Sequence, residues 1–425
     1  MKPLCIIEKI FNNHSLYSFS VFDCSKNYHI ISDKFETNNY TKACFDIFKI
    51  LKFYDLKNEI IYDVKSLYEL DLTQRFENLI QLSEHVLGEQ KTRKYKELSN
   101  KIKSHIKSYK ITKIDITSFD IQDLFPENLG NKLYEERAKL IYELYNNFNN
   151  KDIVNFYDNF FFKQLKTLNK VKNNKIETIG KGELNLEFSP SGSRNGRIGF
   201  KKKCINIYNL PKNKRNFIIA SEKSSIVSFD FVSFQPRISI YLSGDKELKN
   251  KINNLEDIYS LFSGQREKRK IELISWMFSN YSHYEFDNIL KPIRDYRKKI
   301  FDISKECGSI NNLYGRQIKH NNEEENVFFH NFIASTETDM MFSIMTWLND
   351  YLENNKDIEA KNLFPFYDSL VMEISDSDME LIYFIKDKME TFYKDIFNNE
   401  DVFFPVNIKI GSNFADLEKI EHART

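Results

Sequence analysis

Two carboxylates stand where a folding chain tolerates charge least. Asp230 closes SIVSFDF (225–231), and Asp368 interrupts FPFYDSLVMEI (364–374). Both runs are rich in β-branched and aromatic residues and read as strands. A third such run, FFPVNIKIG (403–411), follows, with helical patterns between them. A carboxylate isolated among apolar side chains is costly unless it is paired or holds a cation. An Asp at a strand end also serves as a turn former or ion-pair partner, and both readings stand here. If the two strands are sheet neighbours, the acids can share a pair of Mg²⁺ ions. Such a pair stabilises the attacking and leaving oxygens of phosphoryl transfer and needs only one or two protein carboxylates beside the substrate phosphates.

The chain has 425 residues, enough for two to four domains, and 41% hydrophobic with 15% aromatic residues excludes wholesale disorder. Lys+Arg 62 against Asp+Glu 61 leaves a net charge of +1. That excludes a uniformly basic nucleic-acid coat but not a local basic groove. The five cysteines are scattered and odd in number, which argues against a disulfide framework or zinc knuckle and fits a reducing cytosol. No run approaches the length of a membrane span, and Glu8 and Lys9 come too early for a signal peptide. A cytoplasmic location without membrane contact is expected.

Residues 1–75 read as mixed α/β: strand-like LCIIEKIF, LYSFSVFD and YHIIS, helix-like text at 41–53, then strand-like IIYD at 60–63. Residues 76–180 are mostly helical. Within them, 91–113 carries Lys91, Arg93, Lys94, Lys96, Lys101, Lys103, Lys107, Lys110 and Lys113 against only Glu97. This is either a solvated helix face or a track for a phosphate backbone. A second helical pattern begins near Leu133, and SPSGSRNGRIG (189–199) breaks the texture. No internal repeat is visible.

Residues 225–245, SIVSFDFVSFQPRISIYLSGD, resemble motif A of the family A DNA polymerases, the bacterial DNA polymerase I-like enzymes. Asp230 matches the metal-binding Asp, Phe231 the aromatic whose carbonyl also reaches metal, and Arg237 the motif's Arg. Gln235 stands where the family has a Glu that packs against the sugar and excludes ribose. EDIYSLFSGQREKRKIELISWMFSN (256–280) resembles the fingers helix of motif B. There Arg266, Lys270, Ile274 and Phe278 recur at four-residue steps on one helical face. The resemblance implies that Arg266 and Lys270 hold the triphosphate, with Ile274 in an aromatic's place and Phe278 stacking near the nascent base pair. FYDSLVMEI resembles motif C: Asp368 matches the second metal-binding Asp, Tyr367 replaces a His that touches the primer end, and Ser369 replaces a Glu.

Further matches extend the likeness over roughly 185–417. GRIGFKKKCINIYNLP (196–211) resembles the segment lining the duplex minor groove, with Arg197, Asn206, Asn209 and Pro211 matching and Tyr208 in place of Gln. GSINNLYGRQIKH (308–320) resembles the family's Leu-Phe-Gly-Arg segment. NFIASTETDMMFSIMTWL (331–348) resembles a duplex-contacting helix, with Asn331 and Asp339 as matches and Ala334 near the position of an absent Gln. NEIIYDVKSLYEL (58–70) faintly resembles the second motif of the attached proofreading exonuclease, but no Asp-x-Glu occurs in the first 75 residues.

The resemblance implies an α/β (α+β) chain with a right-hand polymerase fold: a palm built on an antiparallel sheet, helical fingers and thumb, and a small N-terminal α/β domain. The implied domains are 1–75 (a vestigial exonuclease-like or unrelated α/β domain), 76–184 (thumb), 185–245 (palm), 246–320 (fingers) and 321–425 (palm). The implied activity is template-directed extension of a primer 3′-hydroxyl with dNTPs, using two Mg²⁺ ions on Asp230 and Asp368 and lacking proofreading. Arg197, Asn206, Asn209, Arg237, Asn331 and Tyr367, with Lys94 and Lys101 of the basic stretch, would contact DNA. Primer-template DNA and dNTPs are the expected partners of a monomer, with other replication proteins as candidates. A catalytically inert DNA-binding scaffold and a polymerase or primase accepting ribonucleotides are the alternatives.

Overall fold

The computed structural model describes residues 4–11, 17–23, 28–32, 40–51, 60–108, 129–180, 182–201, 204–255, 257–397 and 402–420. The chain divides into two compact units, Met1–Leu165 and Lys166–Thr425.

The first unit opens with β1 (Leu4–Phe11), β2 (Tyr17–Asp23), β3 (Tyr28–Ser32), β4 (Thr41–Cys44), α1 (Phe48–Leu51) and β5 (Ile61–Asp63). The sheet order is β3-β2-β1-β4-β5. β1, β2 and β3 pair antiparallel, while β4 lies parallel to both β1 and β5. The helix-like text at 41–53 is thus mostly not helical. Lys42, Ala43 and Cys44 are all buried in an inner parallel strand. Such a strand reads as a continuous run, which periodicity cannot separate from a buried helix.

Helices α2 (Val64–Leu72), α3 (Leu79–Leu87), α4 (Glu89–Ser108), α5 (Leu129–Asn147) and α6 (Lys151–Phe156) complete this unit. Leu79, Leu82, Tyr95, Ile102, Leu133 and Leu144 share one core with Ile6, Ala43 and Val64 of the sheet region. The division into compact units falls at 165/166 rather than at 75 or 184. An amphipathic helix must bury its apolar stripe, and here α3–α5 bury theirs with the strands. Four cations of the basic stretch are paired, while Lys110 and Lys113 lie outside the described residues. Lys91 pairs with Glu143, Lys94 with Glu136, Lys96 with Glu84 and Arg93 with Glu97. The sequence shows one charged block because the answering carboxylates lie mostly on α3 and α5.

Asp63, the carboxylate of the faint exonuclease likeness, caps α2. It accepts from Lys65 N (3.2 Å), Ser66 Oγ (2.7 Å) and Asp46 N (3.0 Å). Burial and neighbouring Asp46 push its pKa up to about 6. Residues 58 and 59 of that likeness lie outside the described residues.

α7 (Phe162–Asn173) runs into the second unit, where two small hairpins follow: β6 (Glu177–Thr178) with β7 (Gly182–Glu183), and β8 (Phe188–Ser189) with β9 (Gly199–Phe200). Then come β10 (Ser224–Phe231), α8 (Phe234–Ser243), α9 (Lys246–Asn253), α10 (Arg266–Phe278), α11 (Tyr284–Ile289) and α12 (Lys291–Cys307). The hairpin β11 (Ser309–Asn311) and β12 (Gln317–Lys319) leads to the long α13 (Glu325–Asn354). β13 (Ala360–Phe366), β14 (Ser369–Ser375), α14 (Leu381–Thr391), β15 (Val406–Gly411) and β16 (Glu418–Ile420) close the unit.

The main sheet is antiparallel, in the order β13-β14-β10-β15-β16. The run read as a single strand around Asp368 is a hairpin. Tyr367 takes a left-handed φ of 57° and turns the chain between β13 and β14. α13 packs against α8, α10, α12 and β13. The β11–β12 loop is pinned to α13 by a buried fork: Arg316 donates to both oxygens of Asp339 at 2.8 and 2.7 Å, and Asn312 adds a third bond at 2.8 Å. A bidentate buried pair of this kind fixes geometry as much as it stabilises.

Candidate active site

β10 is the middle strand of its sheet, with Ile226, Val227 and Phe229 fully buried. Its apolar run ends as the chain leaves the core, and Asp230 stands at that exit, in register with Ser369 of β14 and Asn407 of β15. Phe231 N donates to the carbonyl of Asp368 at 3.2 Å, which ties the β13–β14 turn to the end of β10. The expectation that the two strands are neighbours thus holds, with the acids at the same end of adjacent strands.

The two carboxylates are held differently. Asp230 accepts from Ser369 Oγ at 2.5 Å and from Lys409 Nζ at 3.0 Å. Burial raises the pKa of Asp368 to about 7, reinforced by the charges of Asp230 and Glu337, while Lys270 pulls the other way. Ser369, in the place of a third acid, is here a donor to the first.

The turn from β10 into α8 is fixed by Phe231 and Phe234, whose rings stack at 4.1 Å and 12°. Ser233 adopts a left-handed φ of 56° at the N-cap position. Gln235 follows, and its Nε2 donates to Glu337 Oε2 at 2.7 Å. Arg197 Nη2 lies 3.5 Å from the same oxygen. The Arg197 guanidinium also sits 5.8 Å from the ring centroid of Tyr367. Tyr367 is 46% exposed and stacks on Tyr208 at 5.0 Å and 30°.

A cavity of about 440 Å³ joins these groups: Asp230, Asp368, Gln235, Glu337, Arg197 and Tyr367 line one part, and Arg266, Lys270 and Ile274 of α10 another. Arg266 pairs with Asp257 and with Glu267, and lies 5.3 Å from the Tyr259 ring centroid. Hydrogen bonding to Asp257 raises its pKa further. The third four-residue step leaves the cavity. Phe278 packs against Phe329 at 6.0 Å and His330 at 5.1 Å, on α13. Each step overshoots a full turn by about 40°, so three steps rotate the side chain by roughly 120°.

Arg237 is corrected outright. It is 0% exposed, and its guanidinium donates to the carbonyls of Ile252 (3.0 Å), Phe403 (3.2 Å) and Leu255 (2.5 Å). Two residues along the helix from Gln235, it points into the unit and braces loops, so it has no access to DNA. Asn206 caps a short 3₁₀ turn by accepting from Tyr208 N at 3.0 Å, and Asn209 is exposed. Asn331 donates to Val327 O at 3.1 Å within its own helix. Lys94 carries the Glu136 partner already described, and Lys101 is exposed on an open surface cleft with Glu97, Asn100 and Ser104.

Three residues at or beside the site have no counterpart in the sequence reading. Glu337 is 6% exposed inside the apolar α13, and burial raises its pKa against the opposing pull of Gln235 and Arg197. Its sequence neighbours Ser335, Thr336, Thr338 and Asp339 are polar, so Glu337 does not stand out as Asp230 does in its apolar run. Lys409 lies at a polar position of the alternating VNIKIG. Tyr259 lines the cavity beneath Arg266 and carried no sequence signal.

Among the described residues, no group of three or more His, Cys, Asp and Glu is arranged to hold a metal. No helix of the described residues is long and apolar enough to cross a membrane. No protein-family model and no curated protein sequence matches the chain. Among solved structures it is similar to the polymerase domain of Pol1 from M. smegmatis, determined in complex with DNA primer-template and dNTP. The TM-score is 0.60 at 13% identity, covering 97% of this chain and 95% of that one. The chain has the fold of a polymerase domain.

Proposed function

We propose that this protein is a template-directed DNA polymerase that extends a primer 3′-hydroxyl with dNTPs. The observation that carries the reading is the single cavity in which Asp230 and Asp368, from adjacent strands, meet Arg266 and Lys270 of α10. The polymerase-domain fold, seen in a neighbour bound to primer-template and dNTP, supports it.

The donor set fits Mg²⁺. Two carboxylates meet at one end of adjacent strands, and the proton affinity of Asp368 is raised first by burial and then by its acidic neighbours. That excess of negative charge is what a divalent cation relieves, and Mg²⁺ takes its remaining ligands from phosphates and water. Asp230, Asp368 and the Phe231 carbonyl would hold the ions, in place of the contact that Lys409 now makes with Asp230. When bound, divalent cations supply positive charge for in-line nucleotidyl transfer.

The chain's own residues do the rest. Arg266 and Lys270 place two cations where triphosphate charge has to be balanced. The pairs that Arg266 makes now are largely exposed, and exposed pairs exchange partners at little cost. Ile274 presents an apolar surface to the nucleotide, and Gln235 stands at the sugar. Arg197 and the Tyr208–Tyr367 stack form the wall against which the primer end rests. Sequence choice is left to base pairing. The reading includes no proofreading, because no Asp-x-Glu occurs in the first 75 residues and Asp63 serves as a helix cap.

Primer extension with Mg²⁺ and dNTPs or NTPs in separate reactions, beside Asp230→Ala and Asp368→Ala, tests the reading. Template-matched extension lost in both variants is expected. Tight duplex binding without extension by any nucleotide would establish the inert scaffold instead.

A further inference from the structure

We infer that Glu337 is a positioning residue that sets sugar selectivity by locking the Gln235 side chain. The inference rests on the polymerase reading above. Glu337 is almost fully buried, lies on a different element from either acid, and ends its side chain at the cavity. A buried carboxylate needs partners to be tolerated, and two are present: the Gln235 amide at 2.7 Å and the Arg197 guanidinium at 3.5 Å.

The consequence for Gln235 follows from amide chemistry. A primary amide has one donor end and one acceptor end. An ionised carboxylate only accepts, so it selects the amide rotamer whose Nε2 points at Glu337. The acceptor Oε1 is then the end left for the cavity, and no donor is paired with it among the described residues. Arg197 lies 3.5 Å from the same carboxylate oxygen, a second and longer hold on it. Gln235 therefore meets a nucleotide sugar with one fixed polarity and one fixed position. Discrimination between two sugars is a difference of affinities, and a fixed hydrogen-bonding group discriminates more sharply than one free to rotate or withdraw.

Single-nucleotide incorporation with a matched dNTP and the corresponding NTP reads this directly. In Glu337→Ala the ratio of the two kcat/KM values moves toward unity by roughly tenfold, mainly through KM, as expected for one lost charge-assisted hydrogen bond. Gln235→Ala shifts the ratio alike, and the double variant shifts it no further than either single change, because Glu337 acts through Gln235. Glu337→Gln, which can pair with either amide orientation, gives an intermediate ratio. An unchanged ratio in Glu337→Ala, or additive shifts in the double variant, overturns the inference while dNTP extension by the unsubstituted protein leaves the polymerase reading standing. Absence of extension by that protein overturns both. A melting temperature measured for each variant separates folding from selectivity: a purely structural role lowers it and leaves the ratio where it was.

Discussion

Arg237 separates a structural from a DNA-binding reading of one residue, and the structure assigns the outcome a size. Arg237→Met keeps a long flexible stem and removes the guanidinium. The carbonyl of Leu255 then loses its donor, while that of Ile252 keeps Leu255 N and that of Phe403 keeps Tyr241 Oη. Each of the three hydrogen bonds lost from a charged donor is worth about 1.5–3 kcal/mol. Against the sum stands the relief of no longer burying a charge, several kcal/mol on its own. The net is a loss of about 2–5 kcal/mol, in line with the usual result of dismantling a buried charged network. For a unit of this size that corresponds to a fall of roughly 5–15 °C in melting temperature. Differential scanning fluorimetry reads the fall, and the salt dependence of duplex binding reads the alternative. A phosphate contact contributes about 0.9 to the slope of log K against log salt. An unchanged slope with a large drop in melting temperature is expected. A melting temperature within about 1 °C of wild type, with the slope reduced by about 0.9, would refute the reasoning.

Two further outcomes follow from the charges. Lys94→Ala removes an exposed pair with Glu136, so stability changes by less than about 1 kcal/mol and the salt slope of DNA binding stays as it was; a lower slope would restore the phosphate-track reading. Asp368 has a folded pKa of about 7, above the ordinary carboxylate value, so folding disfavours its charged form. The resulting penalty is present above pH 7 and fades as pH falls toward 4. In chelator, the melting temperature of wild type should therefore rise relative to Asp368→Asn between pH 8 and pH 5, and a pH-independent difference would contradict the assigned cause.

Much of the site was legible because strands announce themselves locally. Asp230 and Asp368 stood out as charges inside apolar runs, and their meeting needed only that β10 and β14 be neighbours. The spacing of Arg266, Lys270 and Ile274 likewise transferred, since consecutive four-residue steps share a helix face. Phe278 did not, because the small overshoot of each step accumulates. Arg237 failed for a related reason: the direction of a helical side chain depends on how the helix docks, and α8 turns that position inward. The basic stretch left a solvated face and a phosphate track both open, because long-range ion pairs are invisible in sequence: Lys94 meets Glu136 across 42 positions. The core that α3–α5 share with the strands is invisible in the same way, since apolar stripes look alike whether helices pack on one another or with a sheet. Glu337 did not stand out, because its neighbours Thr336, Thr338 and Asp339 are polar and an acid among them resembles an ordinary solvated position.

The central claim is that Asp230 and Asp368 act as one centre for nucleotidyl transfer. Single-turnover incorporation of one matched dNTP by Asp230→Asn, Asp368→Asn and the double variant measures it. Groups that work as a unit are strongly non-additive, so each single change should cost on the order of 10³-fold or more, and the double variant should be no slower than the slower single one. Either single variant within tenfold of wild type, or losses that multiply in the double variant, would contradict the account.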